Sequence, residues 1–280
     1  MTHPQIAAFA RLAKENTAPV RTLIGQKTLI SRTMHAFDYD ALHDEIVVNS
    51  PLAQAILIFR GGANGEEAPV RYIQGPHTQI IGTGYGALDA VTVDGVNNEI
   101  FLPVASDSVL VFDRAASGDV APKRVLHGPD TRIQFPKANE RGGLPAVGVD
   151  PMHNLLIVPS RASLLIFDRN ASGNAKPLRV ISGPKSELGG GKPHIYAPKG
   201  LIVASAARGG IGVWSINDNG DVPPRWRIPV TKITGMNVNG VEIDPVHKEI
   251  MMVSAGGNGR VRPTRGVMST VITFSWPEIF

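Results

Sequence analysis

ILIFRGGANGEEAPVRYIQGP (56–76), VLVFDRAASGDVAPKRVLHGP (109–129) and LLIFDRNASGNAKPLRVISGP (164–184) follow one template. Each has an apolar strand ending in Phe, a turn containing Gly, Pro-x-Arg, a second short strand, and Gly-Pro. A more diverged copy is IGVWSINDNGDVPPRWRIP (211–229), and FARLAKENTAPVRTLIG (9–25) keeps the spacing from Phe9 to Pro19. Two short β-type runs around a Gly- or Asn-bearing turn read as a hairpin. The recurrence at a fixed period is the signature of a repeat architecture.

A second template precedes the first: AFDYDALHDEIVVNS (36–50), AVTVDGVNNEIFLPV (90–104), AVGVDPMHNLLIVPS (146–160) and GVEIDPVHKEIMMVS (240–254). It is a strand ending in Asp, a tight turn and a second apolar strand, with a shortened form in IYAPKGLIVAS (195–205). The full unit therefore has four strands, A to D, which is the make-up of a propeller blade. The expected fold is all-β: a single five-bladed β-propeller domain over 1–280, with blades near 34–75, 87–128, 145–183, 194–230 and 237–280. The D-type strand at 19–25, within 6–25, is expected to complete the C-terminal blade and so close the ring, removing open edges. Residues 5–14 are compatible with strand or helix.

These Asp-ended inner strands, each followed by a turn and a second apolar strand, resemble the NHL-like and YVTN-like propellers over nearly the whole chain. That resemblance implies architecture. Its members include lactonases, lyases and binding scaffolds, so it does not select a chemistry.

Composition sets outer limits. The chain has 280 residues, 42% hydrophobic and 19% charged, with 30 Gly and 22 Pro, a balance suited to many short strands and turns. A net charge of +4 gives no reason to expect nucleic acid as a partner. Without Cys there are neither disulfides nor thiolate metal sites. The N-terminus lacks a basic region followed by a long apolar one, and no apolar run reaches membrane-spanning length, so a cytoplasmic location without membrane contact is expected.

The repeat also sorts the histidines. His43, His153 and His247 each follow the strand-ending Asp by three residues, where the second blade has Asn97, and are expected to close turns. His35 and His194 are different, standing at the start of A strands in blades 1 and 4, with Asp89, Pro145 and Asn239 at the corresponding positions. Propellers usually bind ligands on the face carrying the D-to-A and B-to-C loops. His35, His194 and Asp89 are therefore the candidate acid–base residues. The two histidines are also candidate ligands for one divalent metal ion. His77 is a weaker candidate.

Arg161, Arg208 and Arg260 in B-to-C loops, with Tyr196 and Asn239, are candidate substrate contacts, since guanidinium groups pair with carboxylate or phosphate. Asp38 and Glu242 share a register and form a candidate carboxylate pair. The expected function is a lyase or a lactonase-like hydrolase acting on a compact small molecule, anionic ones included, at the axial mouth. The alternative is a non-catalytic module that binds a peptide or protein through Tyr85, Phe135 and Tyr196.

Overall fold

A computed structural model describes residues 5–31, 36–81, 91–135, 146–236, 238, 240–255 and 269–280. The chain divides into two compact units, Met1–Val125 with Pro136–Leu144, and Leu126–Phe135 with Pro145–Phe280. In the first, β1 (Gln5–Ala8) and β2 (Arg21–Ile24) form a hairpin. Next come β3 (Ala36–Asp40), β4 (Glu45–Ser50), β5 (Ala55–Arg60) and β6 (Arg71–Gln74), then β7 (Thr92–Asp94), β8 (Glu99–Val104), β9 (Ser108–Asp113) and β10 (Arg124–Leu126), whose last residue is assigned to the second unit.

The second unit holds β11 (Gly148–Asp150), β12 (Leu155–Ser160), β13 (Ser163–Asp168) and β14 (Arg179–Ser182). These are followed by β15 (Leu188–Tyr196), β16 (Leu201–Ala206), β17 (Gly210–Ser215) and β18 (Trp226–Ile228). A short helix, α1 (Val230–Thr234), precedes β19 (Gly240–Asp244), β20 (Glu249–Ala255) and β21 (Ser269–Ser275).

The sheets are antiparallel meanders in sequence order, and they are β-propeller blades, five by the count of A–B hairpins among the described residues. The expected fold class is thus observed. Residues 5–8 are strand, which resolves the ambiguity of that segment. The expected completion of the C-terminal blade drew on both units. Within the first, β2 is bonded to β1 with Ile6 opposite Leu23; within the second, the C-terminal sheet is β19–β20–β21.

The B and C strands of blades 1 to 4 are short and largely apolar because successive residues, on both faces, are buried. Strand β5 buries Ala55 through Phe59 in succession, and Phe59, Phe112, Phe167 and Trp214 at the same register are all 0% exposed. Fully burying an aromatic or branched side chain contributes roughly 1.5–3 kcal/mol.

Neighbouring blades are also tied by a repeated polar clamp. The Gly that opens each Gly-x turn has φ between 121° and 140°, a conformation only Gly adopts readily, and a short 3₁₀ turn follows. Its Thr or Ser hydroxyl donates back to the Gly carbonyl at 2.6–2.7 Å. The exposed N–H groups of that turn donate to Glu66, Asp119, Asn174 or Asp221, which stand in the C–D turn of the following blade. The Gly before each acceptor bridges the preceding D strand: Leu23 with Gly65, Ile73 with Gly118, Leu126 with Gly173, Ile181 with Gly220.

Blade 4 departs from the expected short form. Its A strand runs from Leu188 to Tyr196, paired to β16 with register shifts between Leu188 and Gly190 and between Gly190 and His194. Gly190 and Gly191 have φ of 83° and 86°, so the Gly-Gly-Gly run lets the chain bulge without leaving the sheet. A 3₁₀ turn, Ala197–Lys199, then replaces the Asp-led turn of the other blades.

Candidate functional site

The Asp-led turns behave as their spacing implies. Asp40, Asp150 and Asp244 each accept the backbone N–H of the His three residues on, and hold its ring Nδ1 at 2.7, 2.8 and 2.6 Å. Asn97 does the same in blade 2, its side-chain amide donating to Asp94 at 2.8 Å. An Asp that accepts two or more local donors is a turn lock, and its His is spent on that turn. The His247 bond is the largest influence on Asp244 and holds its carboxyl below the ordinary range. His77 is likewise occupied: its Nδ1 lies 2.7 Å from Asp119 in the inter-blade clamp, and its ring is otherwise exposed.

His194 is built differently. It lies on β15, two residues before the strand end, and only 7% of it is exposed. Its Nδ1 is 2.7 Å from Oε1 of Glu242, which reaches across from β19, the A strand of the next blade. Here the carboxylate comes from 48 positions away along the chain, so the pair depends on tertiary packing.

The bulge at Gly190–Gly191 sets the register that brings His194 opposite Val203, and the two A strands then lie side by side. Desolvation is the largest influence on Glu242 and favours its neutral form. The hydrogen bond from His194, that ring's charge and the charge of Lys192 together outweigh it, so the carboxyl sits below the ordinary range. The Glu242 side chain is 55% exposed, which leaves the dyad open to solvent from the Glu side.

In its neutral form, an imidazole that donates its Nδ1–H to an ionised Glu242 carries its lone pair on Nε2. No hydrogen bond engages Nε2 among the described residues. An imidazole so arranged can take a proton from a bound molecule while the carboxylate stabilises the imidazolium that forms. It is equally the arrangement of a metal-ligating His with a carboxylate behind it. Among the described residues no three His, Asp or Glu side chains converge as a metal-ligand group.

Tyr196, two positions along β15, is half-buried and packs edge-on against Phe280 with ring centroids 5.1 Å apart. Arg161 and Arg208 are exposed in the B–C turns of blades 3 and 4, each in a left-handed conformation, φ 48° and 57°. His35, Asp89, Asn239 and Arg260 lie outside the described residues, as does Tyr85.

One reading of the sequence changes. Phe135, expected as an exposed anchor, is 0% exposed: the residues after β10 fold back on blade 3, where the Gln134 N–H donates to Ser160 and the neighbouring ring is covered. Asp38 and Glu242, the candidate carboxylate pair, fall in different units, and each has a partner within its own. Asp38 accepts the Val93 N–H of the next blade at 2.9 Å, and Glu242 takes His194. The Glu242 pairing went unseen because register equivalence along one repeat does not say which neighbouring-blade side chain a residue faces.

No protein-family model matches the chain. No helix among the described residues is long and apolar enough to cross a membrane.

Proposed function

We propose that this protein is a small-molecule enzyme, a lyase or a lactonase-like hydrolase, whose general base is His194 held by Glu242. The observation that carries the reading is the single 2.7 Å contact between a buried ring and a carboxylate from the neighbouring blade. That contact fixes the tautomer and leaves Nε2 as the reactive nitrogen. In a lyase, Nε2 removes a proton beside a carbonyl or carboxylate. In a lactonase-like hydrolase it takes the proton of an attacking water.

Arg208, exposed on the turn of the same blade, and Arg161 on the preceding one are the cations that would orient an anionic substrate. A divalent metal, if used, would take Nε2 of His194 as a ligand, since a carboxylate behind the ring raises its basicity. Membership of the NHL-like or YVTN-like group is consistent with either chemistry. A non-catalytic binding face is the second reading. It has fewer supports, because Phe135 is buried and Tyr196 is packed on Phe280.

The test is turnover against a panel of lactones and small hydroxy or keto carboxylates, together with metal analysis of protein purified without a tag. His194→Ala is expected to abolish whatever turnover is found. Full activity in that variant would remove the proposal.

A further inference from the structure

Comparison of the blades at one register shows a charge that the repeat leaves unanswered. In blade 1, Arg71 at the start of the D strand binds Glu45 at the start of the B strand through two bonds of 2.8 and 2.9 Å. In blade 2, Arg124 binds Glu99 in the same way, at 2.7 and 2.8 Å. In blade 4 both partners are replaced: Leu201 stands at the Glu position and Trp226 at the Arg position, opposite Val213 as Arg71 is opposite Ile58. Of blades 1 to 4, blade 3 alone keeps the cation and loses the acid. Arg179 is opposite Ile166 in the repeat register, but the Glu position is Leu155, which is 7% exposed.

Among the described residues, what remains for Arg179 is one bond, its Nε–H donating to the Ile216 carbonyl at 2.7 Å. Arg71 makes the corresponding bond to the carbonyl of Arg114, and there it supplements the Glu pair. Half-buried Arg179 lines a groove of about 440 Å³. Arg132, from the Gly-Pro turn after β10, and Lys176, from the turn before β14, line it too, along with Asp130, Leu178 and Asn219. None of the three cations has a carboxylate partner among the described residues. Three basic residues and one acid, Asp130, thus line the groove. The repeat places the same Arg against Glu elsewhere.

We infer that this groove is an oxyanion site, taking a phosphate or sulfate group, free or carried as a monoester on a small molecule. The Arg179 fork supplies paired N–H donors matched to such a group, and Arg132 and Lys176 supply the remaining charge. The site is separate from His194 and does not depend on the proposed catalysis. Leu155 acts as its permissive residue: a carboxylate there would claim Arg179, as Glu45 claims Arg71.

The test titrates the full chain with inorganic phosphate, and in a parallel arm with phenyl phosphate, by calorimetry or ³¹P line broadening at fixed ionic strength held with chloride. Saturable binding is expected. Arg179→Met should weaken it by at least about tenfold, the scale of a lost charge-assisted pair. Leu155→Glu should do the same by restoring the repeat's ion pair, whereas Leu155→Gln should leave affinity within about twofold.

Tighter binding of phenyl phosphate would show that the group is taken as a monoester. Tighter binding of inorganic phosphate would show that it is taken free. If Leu155→Glu does not fold, Arg179→Met decides alone. Unchanged affinity in Arg179→Met, or binding that added chloride removes equally in every variant, would overturn the site.

Discussion

Five histidines among the described residues hold a carboxylate through Nδ1 at 2.6–2.8 Å, yet His194 is equivalent neither to the turn residues His43, His153 and His247 nor to His77 of the inter-blade clamp, whose Asp119 also takes its backbone N–H. In the turns the acid is three residues away, the same carboxylate takes backbone N–H groups, and the ring is 28–42% exposed. At β15 and β19 the acid comes from the next blade, the ring is 7% exposed, and the pair closes no turn. The short contact is common to all five. The difference lies in what else each carboxylate holds: a turn lock takes the N–H groups of its own turn on one oxygen and the ring on the other, whereas among the described residues Glu242 receives only His194 and the adjacent Ile243 N–H, both on Oε1.

The largest effect that could break this contrast is on catalysis. His194→Ala is expected to lower kcat by about 10²–10⁴, the range for losing a positioned base. His153→Ala in the same unit should leave kcat within about twofold. Equal losses in the two variants, measured on any substrate the protein turns over, would erase the distinction.

Next comes stability, where the order reverses. Asp150 is 0% exposed and accepts the N–H groups of Met152 and His153 as well as the ring. Asp150→Ala should cost about 1–3 kcal/mol in denaturant unfolding, because buried donors are left without acceptors. His153→Gln, with its ring 41% exposed, should cost no more than about 0.5–1 kcal/mol. If the His change costs as much as the Asp change, the turn is held by the ring and not by the backbone bonds.

The sequence showed the turn locks and half of the cross-blade pair. Asp-x-x-His is a local pattern, and a local pattern can be checked against its own repeats; Asn97 standing in for His in blade 2 already pointed to a donor to Asp. His194 could be singled out because no repeat accounts for it. Glu242 was singled out too, but as a partner for Asp38, since both occupy the same place in the template. What the template cannot carry is the bulge at Gly190–Gly191, which shifts β15 against β16. Phe135 shows the same gap: its place in a loop was legible, its burial was not. The unanswered Arg179 was readable in principle, from Leu155 standing where Glu45 and Glu99 stand in their blades.

The smallest effect concerns acid pH, and it separates the two kinds of carboxylate within one unit. Glu242 and Asp244 both have carboxyls held below their ordinary values of 4.5 and 3.8. A depressed folded value means that the folded state resists protonation more than the unfolded chain does. Each acid therefore adds stability above its ordinary value, and that contribution is lost as pH falls through the lowered folded value.

Since the two ordinary values differ, the losses begin in different windows. Wild-type protein, unfolded by urea at a series of pH values, should start to weaken as pH drops below 4.5. Glu242→Gln should flatten that upper part of the curve, and Asp244→Asn only the part below 3.8. Because Glu242 is more than half exposed and desolvation works against its ionised form, its slope should be shallow and should weaken further with added salt. The same slope in Glu242→Gln as in wild type would show that the His194 contact does not hold in solution, and the contrast between turn and cross-blade pair would fail with it.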